Sequence, residues 1–213
     1  MSREGVSLHI DLHLQARCHW NCCFCQYASP PKLLARQTCL MVMTSEPVPT
    51  PRPNAKFLLA HPAHFIALGF GSGLSPIAPG TAGTLWAWLA YLVMAPSMSS
   101  AQIGWLIATS TLVGWWACTV TAKNMGVLDP GNIVWDEVVA FWLILWLIMP
   151  ADFAGQLVAF VLFRFFDAVK PGPVGWADQA FKGVGARGGW GILFDDFVAA
   201  FCTLLVIALW RFW

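Results

Sequence analysis

The sequence predicts an all-α integral membrane protein, a compact bundle of about four to five short transmembrane or re-entrant helices with cytoplasmic motif loops. Three observations predict it. The first is composition: 58% of the residues are hydrophobic and 11% charged, against about 45–50% and about 25% in soluble domains, and mean hydropathy is +0.63. The second is the alternation of apolar runs with short polar loops from residue 82 onward. The third is the placing of acids at the edges of those runs. Asp136 and Glu137 open the run Val138–Met149, and Asp195 and Asp196 open Phe197–Leu209. Acids at a lipid boundary are costly and mark functional sites by default. A net charge of +1 without a basic stripe speaks against nucleic-acid binding.

Residues 1–55 read as a polar, Cys- and Pro-rich extension, disordered or preceding a true initiator at Met41 or Met43, and residues 56–213 as the membrane domain. No signal-peptide h-region follows the first residues. Cys18, Cys22 and Cys25 have the spacing of the iron–sulfur loop of radical-SAM enzymes, and His19 or Cys39 would suit a zinc knuckle. An iron–sulfur loop of that kind works on a barrel of roughly 200 residues. Membrane segments follow instead, so the expectation is a coincidental cluster. The stretch 41–56, with Pro47, Pro49, Pro51 and Pro53, reads as an extended linker.

Phe57–Phe70 is apolar but interrupted by His61, Pro62 and His64, which suits an interfacial segment better than a span. The expected spans are 82–96, 103–122, 134–150, 154–167 and 197–213. A full crossing takes roughly 17–25 residues. The second span has that length; the first, third and fourth are short enough to be tilted or half-inserted. Arg52, Lys56, Lys123, Arg164, Lys170, Lys182 and Arg187 fall on one side and Arg211 on the other. The positive-inside rule then puts the loops 69–83, 129–137 and 164–196 together at the cytoplasmic face.

Four blocks carry the chemistry. In GFGSGLSPIAPGTAGT, residues 69–84, Gly71 and Gly73 allow close backbone approach, and Ser72, Ser75 and Thr81 add hydroxyls. Running into a helix near Thr81, the block suits a phosphate cradle or a tightly packed re-entrant loop. It lacks a Walker lysine. DPGNIVWDE, residues 129–137, sets Asp129 on a Pro-Gly turn ahead of Asp136 and Glu137. FRFFDAVKPGPVGWAD, residues 163–178, places Arg164 and Asp167 at i,i+3, with Lys170 at the helix end. Arg164 and Lys170 suit phosphate oxygens. GGWGILFDD, residues 188–196, ends in adjacent carboxylates that want a cation or a shared proton. Oxygen donors without His or Cys favour Mg²⁺ over Zn²⁺.

No histidine follows His64, no Cys-x5-Arg loop exists and no DxDxT string occurs. Phosphate chemistry here therefore falls to water or an Asp carboxylate. A proton- or cation-coupled transporter using the same acids is the alternative.

In this order, GFGSGLSPIAPGTAGTL, DPGNIVWDE, FVLFRFFDAVKPGPV and GGWGILFDD resemble the phosphatidylglycerophosphatase A family, from about residue 65 to the C-terminus. The resemblance implies a Mg²⁺-dependent lipid phosphatase of the bacterial inner membrane, acting on a phospholipid substrate at the cytoplasmic leaflet. It would convert phosphatidylglycerophosphate to phosphatidylglycerol and inorganic phosphate. The metal set expected from these acids is Asp129, Asp136, Glu137, Asp167, Asp195 and Asp196, with Asp136, Asp167 and Asp195 as catalytic candidates. Gly71, Ser72, Gly73, Ser75, Thr81, Arg164 and Lys170 are the expected phosphate-binding residues.

Overall fold

The protein is described here as a computed structural model, covering residues 52–127, 129–181, 183 and 185–212. The cysteine cluster and all but the end of the Pro-rich extension lie outside the described residues.

Two short helices begin the chain. In α1, Ala55–Ala60, the Asn54 side chain caps the first turn by accepting from Phe57 N at 2.9 Å. In α2, Pro62–Ala67, His61 is the cap and Pro62 occupies the first turn. These replace the single interfacial segment expected over 57–70, because Pro62 cannot continue the first helix. A 3₁₀ segment, Gly69–Leu74, leads to α3, Pro79–Met94. A short 3₁₀ turn, Ala95–Ser97, then reaches α4, Ser100–Met125. Ser99 and Gln102 form a reciprocal capping box at the start of α4, and Gly126, at φ 66°, ends it in the left-handed conformation. α5 spans Trp135–Ile148, with Asp136 and Glu137 in its first turn, where negative charge suits the helix dipole. α6, Phe153–Val169, is capped by Asp152 and stops at Lys170, which adopts φ 48° before Pro171. α7 is Pro173–Ala180 and α8 is Ala186–Phe212. No strand occurs among the described residues.

The long helices alternate in direction. The N-terminal ends of α3, α5 and α8 meet the C-terminal ends of α4 and α6: Gly80 lies against Glu137 and Arg164, Lys170 bonds Asp195, and Gly189 abuts Thr119. At the opposite end Trp146 donates to the Ser100 carbonyl at 3.1 Å, and Arg211 to the Ile148 carbonyl at 3.3 Å. Helix α5 is the centre. It packs on α3, α4, α6 and α8, and Val138, Val139, Ala140, Phe141, Ile144 and Leu145 are fully buried. A helix apolar all round belongs inside a protein core. That explains its shortness: sheathed by longer neighbours, it need not match a bilayer by itself.

The outer surface is apolar in helical stripes: Leu85, Leu89 and Val93 on α3, Leu157, Val161 and Phe165 on α6, Phe201, Leu205 and Leu209 on α8. Contiguous apolar surface of this kind marks contact with another apolar phase. Helices α4 and α8 are each long and apolar enough to cross a membrane. These features suit a membrane protein.

One boundary differs from expectation. Helix α8 begins at Ala186, well before 197, so Asp195 and Asp196 lie inside the helix and do not open it. The glycines of GGWG are helical because they lie at contacts. A Cβ on Gly189 would overlap Thr119 of α4, one on Gly188 the Gly183 carbonyl, and one on Gly191 would stand 2.8 Å from the Phe181 carbonyl. Likewise the expected 164–196 loop contains the last turns of α6, all of α7 and the first turns of α8.

Candidate functional site

Three carboxylates converge at the shared end of α5 and α8. Asp136 and Glu137 come from the first turn of α5, Asp196 from α8, and their ligand oxygens all lie within 4.8 Å of one another. Glu137 is 8% exposed and Asp196 3%. Asp136 Oδ1 accepts from the Glu137 N–H at 3.0 Å. Glu137 Oε2 and Asp196 Oδ2 are buried with no hydrogen-bond partner among the described residues. Two unit charges 4.8 Å apart repel by about 3 kcal/mol at an effective dielectric near 20. Three such acids, two of them with an orphaned buried oxygen, fit a divalent cation, and an all-carboxylate donor set fits Mg²⁺.

Arg164 of α6 closes one side of this trio. Its Nη1 donates to Asp167 Oδ2 at 2.6 Å, lies 3.6 Å from Glu137 Oε1, and lies 3.5 Å from Thr84 Oγ1. Asp167 and Glu137 are also the charges that bear most on Asp196. The first turn of α3 packs directly on this pair. A Cβ on Gly80 would overlap Glu137 Oε1 and stand 3.0 Å from Arg164 Nη2. Thr81 follows in the same turn, half-buried. A helix start carries unpaired N–H groups and the positive end of the dipole. A guanidinium and a helix N-terminus thus stand beside three carboxylates, the arrangement that holds an anion next to a metal ion.

The remaining acids form a second group. Lys170 Nζ donates to Asp195 Oδ2 at 2.6 Å and also to Asp178 Oδ1. Burial works against the ammonium, but the bonds and charges of Asp178 and Asp195 outweigh it and hold its pKa above the ordinary lysine range. Asp129, exposed on its turn, lines a cleft with Asp178 and Asp195. The six acids singled out in the sequence therefore divide: Asp136, Glu137 and Asp196 with Asp167 on one side, Asp129 and Asp195 on the other. Lys170 is held by the carboxylates of Asp178 and Asp195. Asp178 was not among the expected site residues. Its signal was its isolation, as the one acid between residues 168 and 194.

The 71–75 segment does a different job from the one expected. Gly71 N and Gly73 N donate to the Leu68 carbonyl, and Ser75 N to that of Ser72. The hydroxyls of Ser72 and Ser75 donate to the carbonyls of Gly69 and Ile77 at 2.9 and 2.8 Å. The N–H groups of Gly71, Gly73 and Ser75 and the hydroxyls of Ser72 and Ser75 are thus engaged inside the loop. The loop instead props the acidic turn. Asn132 Nδ2 donates to the Gly73 carbonyl at 2.7 Å, and a Cβ on Gly73 would overlap the Asn132 carbonyl.

Comparison with known proteins places these blocks in one family. The family model described as phosphatidylglycerophosphatase A matches residues 65–211. Phosphatidylglycerophosphatase A of Escherichia coli (strain K12) is 37% identical over 146 residues, 68% of this chain and 81% of the relative. The Haemophilus influenzae protein of the same name is 36% identical over 161 residues, 76% of this chain and 96% of the relative. A Bacteroides thetaiotaomicron protein, provisionally named phosphatidylinositol-3-phosphatase, is 35% identical over 152 residues, 68% of this chain and 91% of the relative. No solved structure matches. The matched region contains the carboxylate trio, Arg164 and the start of α3, and the chain belongs to the phosphatidylglycerophosphatase A family.

Proposed function

We propose that this protein is a Mg²⁺-dependent phosphatase of the bacterial inner membrane that hydrolyses phosphatidylglycerophosphate to phosphatidylglycerol and inorganic phosphate. Its family makes it a phosphoric monoester hydrolase. The observation that carries the specific reading is the convergence of Asp136, Glu137 and Asp196 beside Arg164 and the first turn of α3.

In this reading Asp136, Glu137 and Asp196 hold the Mg²⁺, with Asp167 at their edge. The bound ion supplies charge neutralisation for the phosphate oxygens and acidifies an attached water. Arg164 binds the phosphomonoester through the part of its fork that Asp167 leaves open, and Asp167 fixes the guanidinium plane. The N–H groups at Gly80 and Thr81 add donors from the helix start. Proton removal from the attacking water falls to a carboxylate at the rim, Asp136 or Asp167. Lys170 holds Asp195 in place from the far side. The helices cross the bilayer as a multi-pass bundle with this end in the cytoplasm, where Arg52, Lys56, Lys123, Arg164, Lys170 and Arg187 gather. The transporter alternative draws no support from the comparisons, and the acids of the site sit at one end of the bundle.

The test is product analysis. Purified protein in detergent with phosphatidylglycerophosphate and Mg²⁺ should release inorganic phosphate and phosphatidylglycerol in equal amounts. No release, with cation flux in proteoliposomes, would replace this reading with the transporter.

A further inference from the structure

His64 is a buried titratable group that the hydrolysis just described leaves unused. It lies on α2, 3% exposed, with the Phe57 ring of α1 stacked on it at 4.2 Å between centroids. Burial and the neighbouring His61 hold its pKa below the ordinary histidine value, so the ring is neutral, with one donor and one acceptor nitrogen. Both nitrogens are engaged by α4: Nδ1 pairs with Thr121 Oγ1 at 3.0 Å and Nε2 with Asn124 Nδ2 at 3.1 Å. With the Asn124 amide as donor, Nε2 accepts and Nδ1–H donates to the hydroxyl. Thr121 and Asn124 stand at i,i+3, one above the other on the same helix face. Two directional bonds a turn apart fix both the height and the rotation of α2 on α4. Apolar packing is non-directional and sets no such register. A buried polar pair adds little net stability over an apolar pair of the same shape, so what these bonds contribute is position.

The far end of α2 holds the start of α5. The Ala67 carbonyl accepts from the Val134 N–H at 2.9 Å, and the Val134 carbonyl in turn accepts from the Val138 N–H, the first bond of α5. Val134 is fully buried, and a Cβ on Gly69 or on Gly83 would stand 2.7 Å from its side chain. A second route begins at Leu68, whose N–H donates to the His64 carbonyl at 2.9 Å. The Leu68 carbonyl accepts from the Gly73 N–H, and the Gly73 carbonyl accepts from Asn132. Both routes end in the segment that leads into Asp136 and Glu137. We propose that His64 is a positioning residue of the phosphatase: it pins α2 to α4, and α2, through the Ala67–Val134 and Gly73–Asn132 bonds, sets where the first turn of α5 holds Asp136 and Glu137. The inference rests on the phosphatase reading above and on Mg²⁺ held by those carboxylates.

The experiment measures phosphate release from phosphatidylglycerophosphate over a Mg²⁺ titration, on the purified full chain in detergent, with a melting temperature for each variant. His64→Phe keeps a ring against Phe57 and removes both bonds. Thr121→Val and Asn124→Ala remove them one at a time, Asn124 from an exposed position where truncation leaves the fold intact. For His64→Phe the half-activating Mg²⁺ concentration should rise and kcat should fall, each by about 10-fold, the lower end of what outer partners of a metal site contribute. KM for the lipid should stay unchanged. His64→Gln, whose amide can still bond Asn124, should recover most of the loss, and the two single variants on α4 should each show part of it. Native kcat and native Mg²⁺ activation in His64→Phe, or in Thr121→Val combined with Asn124→Ala where His64→Phe does not fold, would overturn the proposal. So would a lower melting temperature with both constants unchanged, which is a structural role alone, or a His64→Gln protein as impaired as His64→Phe. Each of these leaves the phosphatase reading standing. No Mg²⁺-dependent release from the native chain would overturn that reading, and this one with it.

Discussion

Gly80 shows how narrowly the site is fitted at the scale of one residue. It is the point where α3 meets the carboxylate trio, and it has no room for a methyl group: the added carbon would overlap Glu137 Oε1 and crowd both Arg164 Nη atoms. Glu137 is buried in the first turn of the most buried helix, and the clash falls on its carboxylate and on the guanidinium end of Arg164. Gly80→Ala should therefore move a proposed metal-binding oxygen and the guanidinium together. The expected result is a fall in kcat of about 100-fold, the scale of an ångström-sized misplacement, with helix content by circular dichroism unchanged. Full activity in the Gly80→Ala protein would show that Glu137 and Arg164 need not hold these positions. Adjacent residues can also have separate duties. Asp195 and Asp196 project about 100° apart on a helix, so Asp195 faces Lys170 while Asp196 faces Glu137 and Asp167.

Among the elements, α4 and α8 touch where α8 has glycine. A Cβ on Gly189 would overlap Thr119, backbone as well as side chain being close, so small residues let the two helices approach. Gly189→Ala should lower stability by about 1–3 kcal/mol, the usual cost of overpacking, read as a lower melting temperature in detergent; an unchanged melting temperature would mean the contact is slack. The helix positions were legible in the sequence because apolar runs bounded by Pro, Gly and polar caps leave few choices. The start of α5 was legible for the same reason, since Asp136 and Glu137 immediately precede an unbroken apolar stretch. The start of α8 was not. Glycines that terminate helices and glycines that serve close helix packing look alike in one sequence, and the loop expected over 164–196 ran through GGWG. Arg164 with Asp167 followed from their i,i+3 spacing. The division of the acids into two groups did not, because it depends on which way a continuous helix faces, and the pairing of Lys170 with Asp178 depends on the unforeseen α7.

For the whole molecule, the alternating helix directions bring every site residue to one end and leave the 95–99 and 149–152 turns at the other. Basic residues follow the same division, with Arg211 alone at the far end among the described residues. If the site end is cytoplasmic, an impermeant thiol reagent should label Arg187→Cys in inside-out vesicles and spare it in intact cells, whereas Ser97→Cys should behave in the opposite way. The reverse pattern would invert the topology. The surface stripes on α3, α6 and α8 would face lipid in either case, but only one orientation gives the site access to the cytoplasmic leaflet. The central claim is that Asp136, Glu137 and Asp196 hold a Mg²⁺ essential to phosphate release. It is tested most directly by titrating Mg²⁺ into EDTA-treated protein and measuring phosphate release from phosphatidylglycerophosphate, for the native chain and for Asp196→Asn. The account predicts no release in EDTA, full recovery with Mg²⁺ in the native chain, and a loss of about 100-fold or more in Asp196→Asn; undiminished release in EDTA, or from Asp196→Asn, would contradict it.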